Sequence, residues 1–179
     1  MEKIEYNGDT FYYAKGKLYD SSFIEVPSNV SYPILTKRFE NIDCTNYGED
    51  EFLELLREVK NAGAYQKCID LILDVGFVRF QKSKSFLSVM FPMVTSCYRS
   101  MHKPEKAIEF WQENKDKYAM ASVSFLTSLA AAYCDIEDYD QAKHFADQAY
   151  SLQGGYQGYM TELSLVYERI RKETETLKK

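Results

Sequence analysis

The sequence predicts a mainly α protein: an α-solenoid of about three helix hairpins, closed by a C-terminal capping helix and preceded by a small antiparallel β meander. Three observations carry this prediction. A pattern of small and large apolar residues recurs at a step of about 35 residues through the later part of the chain. The opening stretch instead holds short β-rich runs punctuated by Asn-Gly and Lys-Gly. The last amphipathic segment carries charge along its outer positions, as the closing element of a stacked array must.

The elements follow in chain order. In IEYNGDTFYYAKGKLYDSSFIEVP, runs at Ile4–Tyr6, Thr10–Ala14 and Lys17–Tyr19 read as strands, with a fourth run at Phe23–Val26. Asn-Gly between alternating runs predicts a type I′ turn, which needs positive φ at both central residues. So small a sheet does not stand alone, so it is expected to dock on the first helices and cap the array. Tyr12, Tyr13 and Tyr19 offer a second, partner-facing surface. Residues 1–27 form this cap, and 28–48 a connecting segment with a short helix after Ser31 as N-cap. The helical repeat region covers 49–176.

In that region, Phe52, Leu55, Leu56 and Val59 form one helix face; Tyr65, Cys68, Ile72 and Val75 form the next, which Gly76 is expected to end as a C′ residue. The step from Cys68 to Ala107 is longer than the others, and VRFQKSK is read as the linker that holds the extra residues. CYRSMHKPEKAIEFW aligns with AYCDIEDYDQAKHFA, pairing Tyr98 with Tyr133 and Ala107 with Ala142. Helices are expected at Val123–Asp135 and Tyr139–Leu152, joined so tightly that they lie antiparallel. Ala130, Ala142, Ala146 and Ala149 let their axes approach, while Leu126, Leu129 and Tyr133 pack against neighbours. A last helix over Tyr159–Thr176 places Met160, Leu163 and Tyr167 one step beyond Leu126, Leu129 and Tyr133.

The period, the small residue at the eighth position, the aromatic at the eleventh and the alanine at the twentieth resemble the tetratricopeptide repeat. The resemblance is best in 122–154, through Leu129-Ala130, Tyr133, Tyr139, Ala142 and Ala149, and covers roughly 49–175. It implies TPR-like hairpins whose first helices line a concave groove. By resemblance the groove positions include Arg57, Lys60, Ser96, Arg99, Thr127 and Ala131. The Lys/Asn/Lys/Arg set with which some family members clamp a C-terminal carboxylate is not present.

Composition narrows the function classes. The net charge of −5 argues against a general nucleic-acid binder. The N-terminus MEKIEYNGD has no apolar h-region, and no run is long enough to span a membrane, so a cytoplasmic chain is expected. Cys44, Cys68, Cys97 and Cys134 form no CxxC and read as small buried thiols, not as metal or disulfide partners. His102 and His144 have no neighbouring nucleophile pattern, and no Walker, Rossmann, EF-hand or HExxH motif appears. No catalytic, cofactor or metal residues are therefore assigned. Residues 79–106 carry six basic residues against one acidic, and 122–154 one against five, a polarity that can steer a charged partner.

The expected function is non-catalytic: a protein-interaction module that takes a peptide or partner helix in the groove, with Arg57, Lys60 and Arg99 facing its carboxylates. Self-assembly into a homo-oligomer and a peptide or small-ligand sensor domain without its effector are the alternatives.

Overall fold

The computed structural model describes residues 1–40, 42–118, 122–154 and 161–176. The chain is mainly helical with a three-stranded antiparallel sheet at its N-terminus, and it divides into two compact units, Met1–Lys82 and Ser83–Lys179.

The first unit opens with β1 (Glu2–Tyr6), β2 (Asp9–Ala14) and β3 (Lys17–Tyr19), in the order β1-β2-β3. Both connections are two-residue turns with positive φ at each position: Asn7 at 51° and Gly8 at 90°, then Lys15 at 48° and Gly16 at 80°. That is the twist a right-handed antiparallel ribbon requires, and it pins the register at Ile4 opposite Phe11 and Tyr13 opposite Leu18. The fourth run does not extend into a strand. The Asp20 carboxylate accepts from the amides of Ser22 and Ile24, and Phe23 turns to φ 60°, so only a single bridge, Tyr19 to Glu25, forms.

Next comes α1 (Ser28–Glu40), which begins three residues before the expected cap. The Pro27 carbonyl accepts from Val30 and Ser31, so the helix is nucleated there. Ser31 lies inside it, donating to the Ser28 carbonyl instead of capping. The next helix, α2 (Glu49–Asn61), starts with Glu49, Asp50 and Glu51 against the positive helix end, and Glu51 accepts from the Gly48 amide. It ends in a Schellman closure: the amide of Gly63 (φ 78°) donates to Lys60 and that of Ala64 to Val59.

The following helix is longer than expected. It runs as α3 (Tyr65–Leu71), then a π turn over Ile72–Gly76, then α4 (Phe77–Phe80). Gly76 does not terminate it; its φ of −61° and ψ of −50° are right-handed helical. The wide turn keeps the backbone bonded, so the extra residues lengthen the helix, and Val78, Arg79 and Phe80 are helical instead of linker. Arg79 then holds the preceding loop, donating to the carbonyls of Cys44 and Tyr47. The core of this unit gathers Leu18, Leu35, Phe39, Phe52, Leu56, Cys68, Ile69 and Ile72, all under 2% exposed.

The second unit holds α5 (Lys84–Ser100), α6 (Pro104–Asn114), α7 (Val123–Asp135), α8 (Tyr139–Leu152) and α9 (Thr161–Thr176). Ser83, Ser122 and Asp138 cap α5, α7 and α8 by accepting from the third amide beyond them. Residues 155–160, with Gly155, Tyr159 and Met160, lie outside the described residues. The helix α5 packs on α6 and α7, α6 on α7, α7 on α8 and α9, and α8 on α9. At the contacts Ala130, Ala142, Ala146 and Ala149 are fully buried, as the small-residue argument requires. Large side chains fill the space between: Phe91 meets Phe110, Tyr118 and Phe125 with ring centroids 5.5–5.8 Å apart, and Phe145 sits 5.0 Å from Trp111 and 5.3 Å from Tyr133. Leu163, Val166 and Ile170 are the buried side of α9; Glu162, Glu168, Arg171, Lys172 and Glu175 are exposed.

Candidate functional site

The six expected groove residues fall in both units, Arg57 and Lys60 in the first and the rest in the second. Arg57 is exposed on α2 and donates to Glu54 one turn earlier at 3.2 Å, a surface pair of small energy. Lys60 is half-buried in the last turn of α2. On α7, Thr127 is 1% exposed and Ala131 8%, so neither presents a surface to a partner. The physical reason is that α7 is the central helix of its unit: α5, α6, α8 and α9 all pack on it.

The three tyrosines of the sheet also separate. Tyr12 pairs with Tyr19 across β2 and β3, while Tyr13 pairs with Leu18 on the opposite face. Tyr12 stacks on Phe23 at 5.0 Å, which gives that face an aromatic character. Tyr13 instead belongs to the core: it is 5% exposed, it donates to Glu58 at 2.8 Å, and it accepts from the Gly16 amide at 3.1 Å. The Arg38 guanidinium lies 4.1 Å from its ring centroid. Burial first, then the Glu58 carboxylate, pushes the Tyr13 phenol far above its ordinary range. Tyr13 is therefore the bolt that holds the sheet to α2 and is unavailable to a partner.

Ser96 and Arg99 lie half-buried on the last two turns of α5. Arg99 is not a bare cation. Its Nε donates to Asp135 at the end of α7 at 2.6 Å. Arg169 of α9 reaches the same carboxylate through Nη1 at 2.5 Å and the Cys134 carbonyl through Nη2 at 2.9 Å. One carboxylate thus joins three helices. Burial alone would raise the Asp135 carboxyl, but the hydrogen bonds from Arg99 and Arg169 outweigh it and hold the group below the usual carboxylate range. Burial pushes the adjacent Cys134 thiol up, which keeps it a thiol.

Around this triplet lies a cavity of about 550 Å³. Ser96, Arg99 and Ser100 enter it from one face of α5, at the i, i+3, i+4 spacing of neighbours. His102 enters from the turn that follows, where its φ of 56° belongs to a second Schellman closure, His102 to Arg99 and Lys103 to Tyr98. Glu105, on the first turn of α6, completes the rim. The first unit has its own cleft of about 760 Å³, walled by Lys15 and Gly16, by Tyr32 of α1, and by Asn61, Gly63 and Tyr65.

Comparison with family models, with curated proteins and with solved structures gives no match.

Of the residues that line the two hollows, the sequence assigns only Ser96 and Arg99 to a partner surface; His102, Ser31 and Tyr65 are read there as a histidine without a nucleophile pattern, a cap and a helix-face residue. A signal for one of the hollows is present there. Arg99, Asp135 and Arg169 stand 36 and 34 residues apart, alternating in sign near the repeat step. All four cysteines are buried and unbridged, and among the described residues no group of three or more His, Cys, Asp or Glu is placed to hold a metal ion. No helix of the described residues is long and apolar enough to cross a membrane.

Proposed function

We propose that this chain is a non-catalytic interaction module of tetratricopeptide-like helix hairpins, which takes a peptide or a partner helix on the face made by the first helices of successive hairpins. The observation that carries the reading is the order of contacts in the second unit. First helices α5, α7 and α9 touch in succession, each hairpin partner touches the next first helix, and Arg99, Asp135 and Arg169 link the three at near-repeat steps. Such stacking sets one helix type in a row, the arrangement by which repeat arrays recognise extended partners, with α7 contributing little exposed surface to it. Arg57 and Lys60 are the cations of the first unit that this reading assigns to partner carboxylates.

The test uses Arg57→Glu with Lys60→Glu. Arg99 is a poor choice for charge reversal, since a glutamate there would face Asp135 and unseat Arg169. The chain is immobilised, challenged with native lysate of its source, and the retained proteins are quantified beside those retained by the variant. A partner held by the wild type and depleted at least about tenfold with the variant supports the reading. Retention that is equal on both, or absent from both, refutes the assignment of these cations.

A further inference from the structure

We propose that the cavity between the end of α5, the start of α6 and the Asp135–Arg169 pair is a binding site for a phosphate group, either free or carried as a monoester. The starting point is a surplus of donors. Arg99 spends only its Nε on Asp135, and among the described residues its two terminal nitrogens have no hydrogen-bond partner. The same holds for the hydroxyls of Ser96 and Ser100 and for the His102 ring. Arg99 is 29% exposed in its side chain and is oriented by a fixed bond, so its free fork is aimed, not mobile.

Asp135 is what makes this a receptor and not a repulsive pocket. Both of its oxygens are already taken by arginines, so its charge is answered within the wall. The lining charges, Arg99 and Arg169 against Asp135 and Glu105, balance; Lys103 and Lys106, exposed and next in the chain to Pro104 and Glu105, add positive charge outside the lining. The number and spread of donors select the shape of the anion. A carboxylate has two oxygens in one plane and is satisfied by the Arg99 fork alone. The fork, two hydroxyls one helical turn apart and an imidazole approach from several directions, which suits three non-bridging oxygens on a tetrahedral centre. The reading of the chain as an interaction module enters only in treating Ser96 and Arg99 as an accessible face. The variants of Arg57 and Lys60 test that reading, and the titration below tests this one.

The full chain, ¹⁵N-labelled, is titrated at constant ionic strength with inorganic phosphate, a capped phosphoserine tripeptide and acetate, reading the Arg99 side-chain signal and the amides of 96–105. The expected result is saturable shifts confined to these signals, with Kd about millimolar for a phosphate probe and at least about fivefold weaker for acetate. Ser100→Glu, which puts a carboxylate in the cavity without touching the Arg99–Asp135 bond, abolishes them. Arg99→Lys, which keeps charge but loses the fork, weakens them at least about fivefold. Tighter binding of the tripeptide names a phosphopeptide as the source, and tighter binding of inorganic phosphate names the free ion. The proposal is overturned if no probe saturates these signals, if acetate matches the phosphate probes, or if both variants bind as the wild type does.

Discussion

Removing the Asp135 carboxylate should cost the fold more than removing an ordinary surface charge. In Asp135→Asn the shape is kept, but the amide has one acceptor oxygen for two guanidinium groups and turns a donor toward one of them. Two charge-assisted hydrogen bonds weaken, at 2.6 Å from Arg99 and 2.5 Å from Arg169. Such bonds are worth about 1.5–3 kcal/mol each when well shielded. Here the side chains are 24% exposed for Asp135, 29% for Arg99 and 43% for Arg169, so solvent screens part of that. About 1 kcal/mol for each bond, hence about 2 kcal/mol in all, is the expected loss. For a chain of this length it corresponds to about 4–8 °C in Tm.

Urea unfolding of the wild type, Asp135→Asn, Arg169→Gln and the double variant measures the loss and isolates the pair, with a coupling of about 1 kcal/mol expected. The pH dependence follows from the same bonds. The folded carboxyl titrates below its unfolded value of 3.8. Its contribution is therefore complete above that value and is lost as the pH falls through the lower folded one. The wild type and Asp135→Asn should differ by a constant amount at neutral pH, and converge as the pH falls below 3.8 and through the lower folded value. Additive single variants, or a gap that widens on acidification, would refute the shared-carboxylate argument.

Two further predictions concern the first unit. Gly8 and Gly16 both have positive φ, at 90° and 80°, but a Cβ on Gly8 meets open space, while one on Gly16 meets the Asn61 Cβ at 3.1 Å and the Glu58 carbonyl at 3.3 Å. Gly8→Ala should cost about 1 kcal/mol and Gly16→Ala at least about 2, a difference that thermal melts resolve. Tyr13→Phe leaves Glu58 and the Gly16 amide without their common partner, and urea titration should show a loss of about 1–2 kcal/mol with no change in m-value.

Local signals made the second unit legible. The bounds of α7 and α8 follow from the 3.6-residue apolar rhythm and the short polar link between them, and the structure adds Ser122 and Asp138 as their caps. The first two hairpin turns of the sheet follow from Asn-Gly and Lys-Gly. Where the reading failed, a residue had been given a meaning that its neighbours decide. Gly76 permits a helix to end but does not compel it, and the π turn carried the chain through. Thr127 and Ala131 sit at positions that face a groove only if the neighbouring helices leave them open, and with four helices packed on α7 both are buried. Tyr13 looked like its neighbour Tyr12, yet the period of two sends it to the buried face, where Glu58 takes its hydroxyl. Arg99 was visible as a cation, whereas its partner lies 36 residues away and is found only by reading charge at the repeat step.

The regularity of this chain resides in backbone closures more than in large side chains. Three helices, α2, α5 and α7, end in the same Schellman arrangement, with C′ residues Gly63, His102 and Glu137 at φ of 78°, 56° and 63°. Glycine reaches that conformation without strain, while a histidine or glutamate there costs on the order of 1 kcal/mol. At Gly63 a side chain would meet a neighbour as well, because a Cβ would stand 3.1 Å from the Tyr32 ring. At His102 no such wall exists, and a glycine would relieve the strain. The side chain that is kept instead lines the cavity beside Arg99. In the proposed phosphate site the strain at this position places a ring nitrogen beside Arg99, whereas the closure at Gly63 serves to turn the chain.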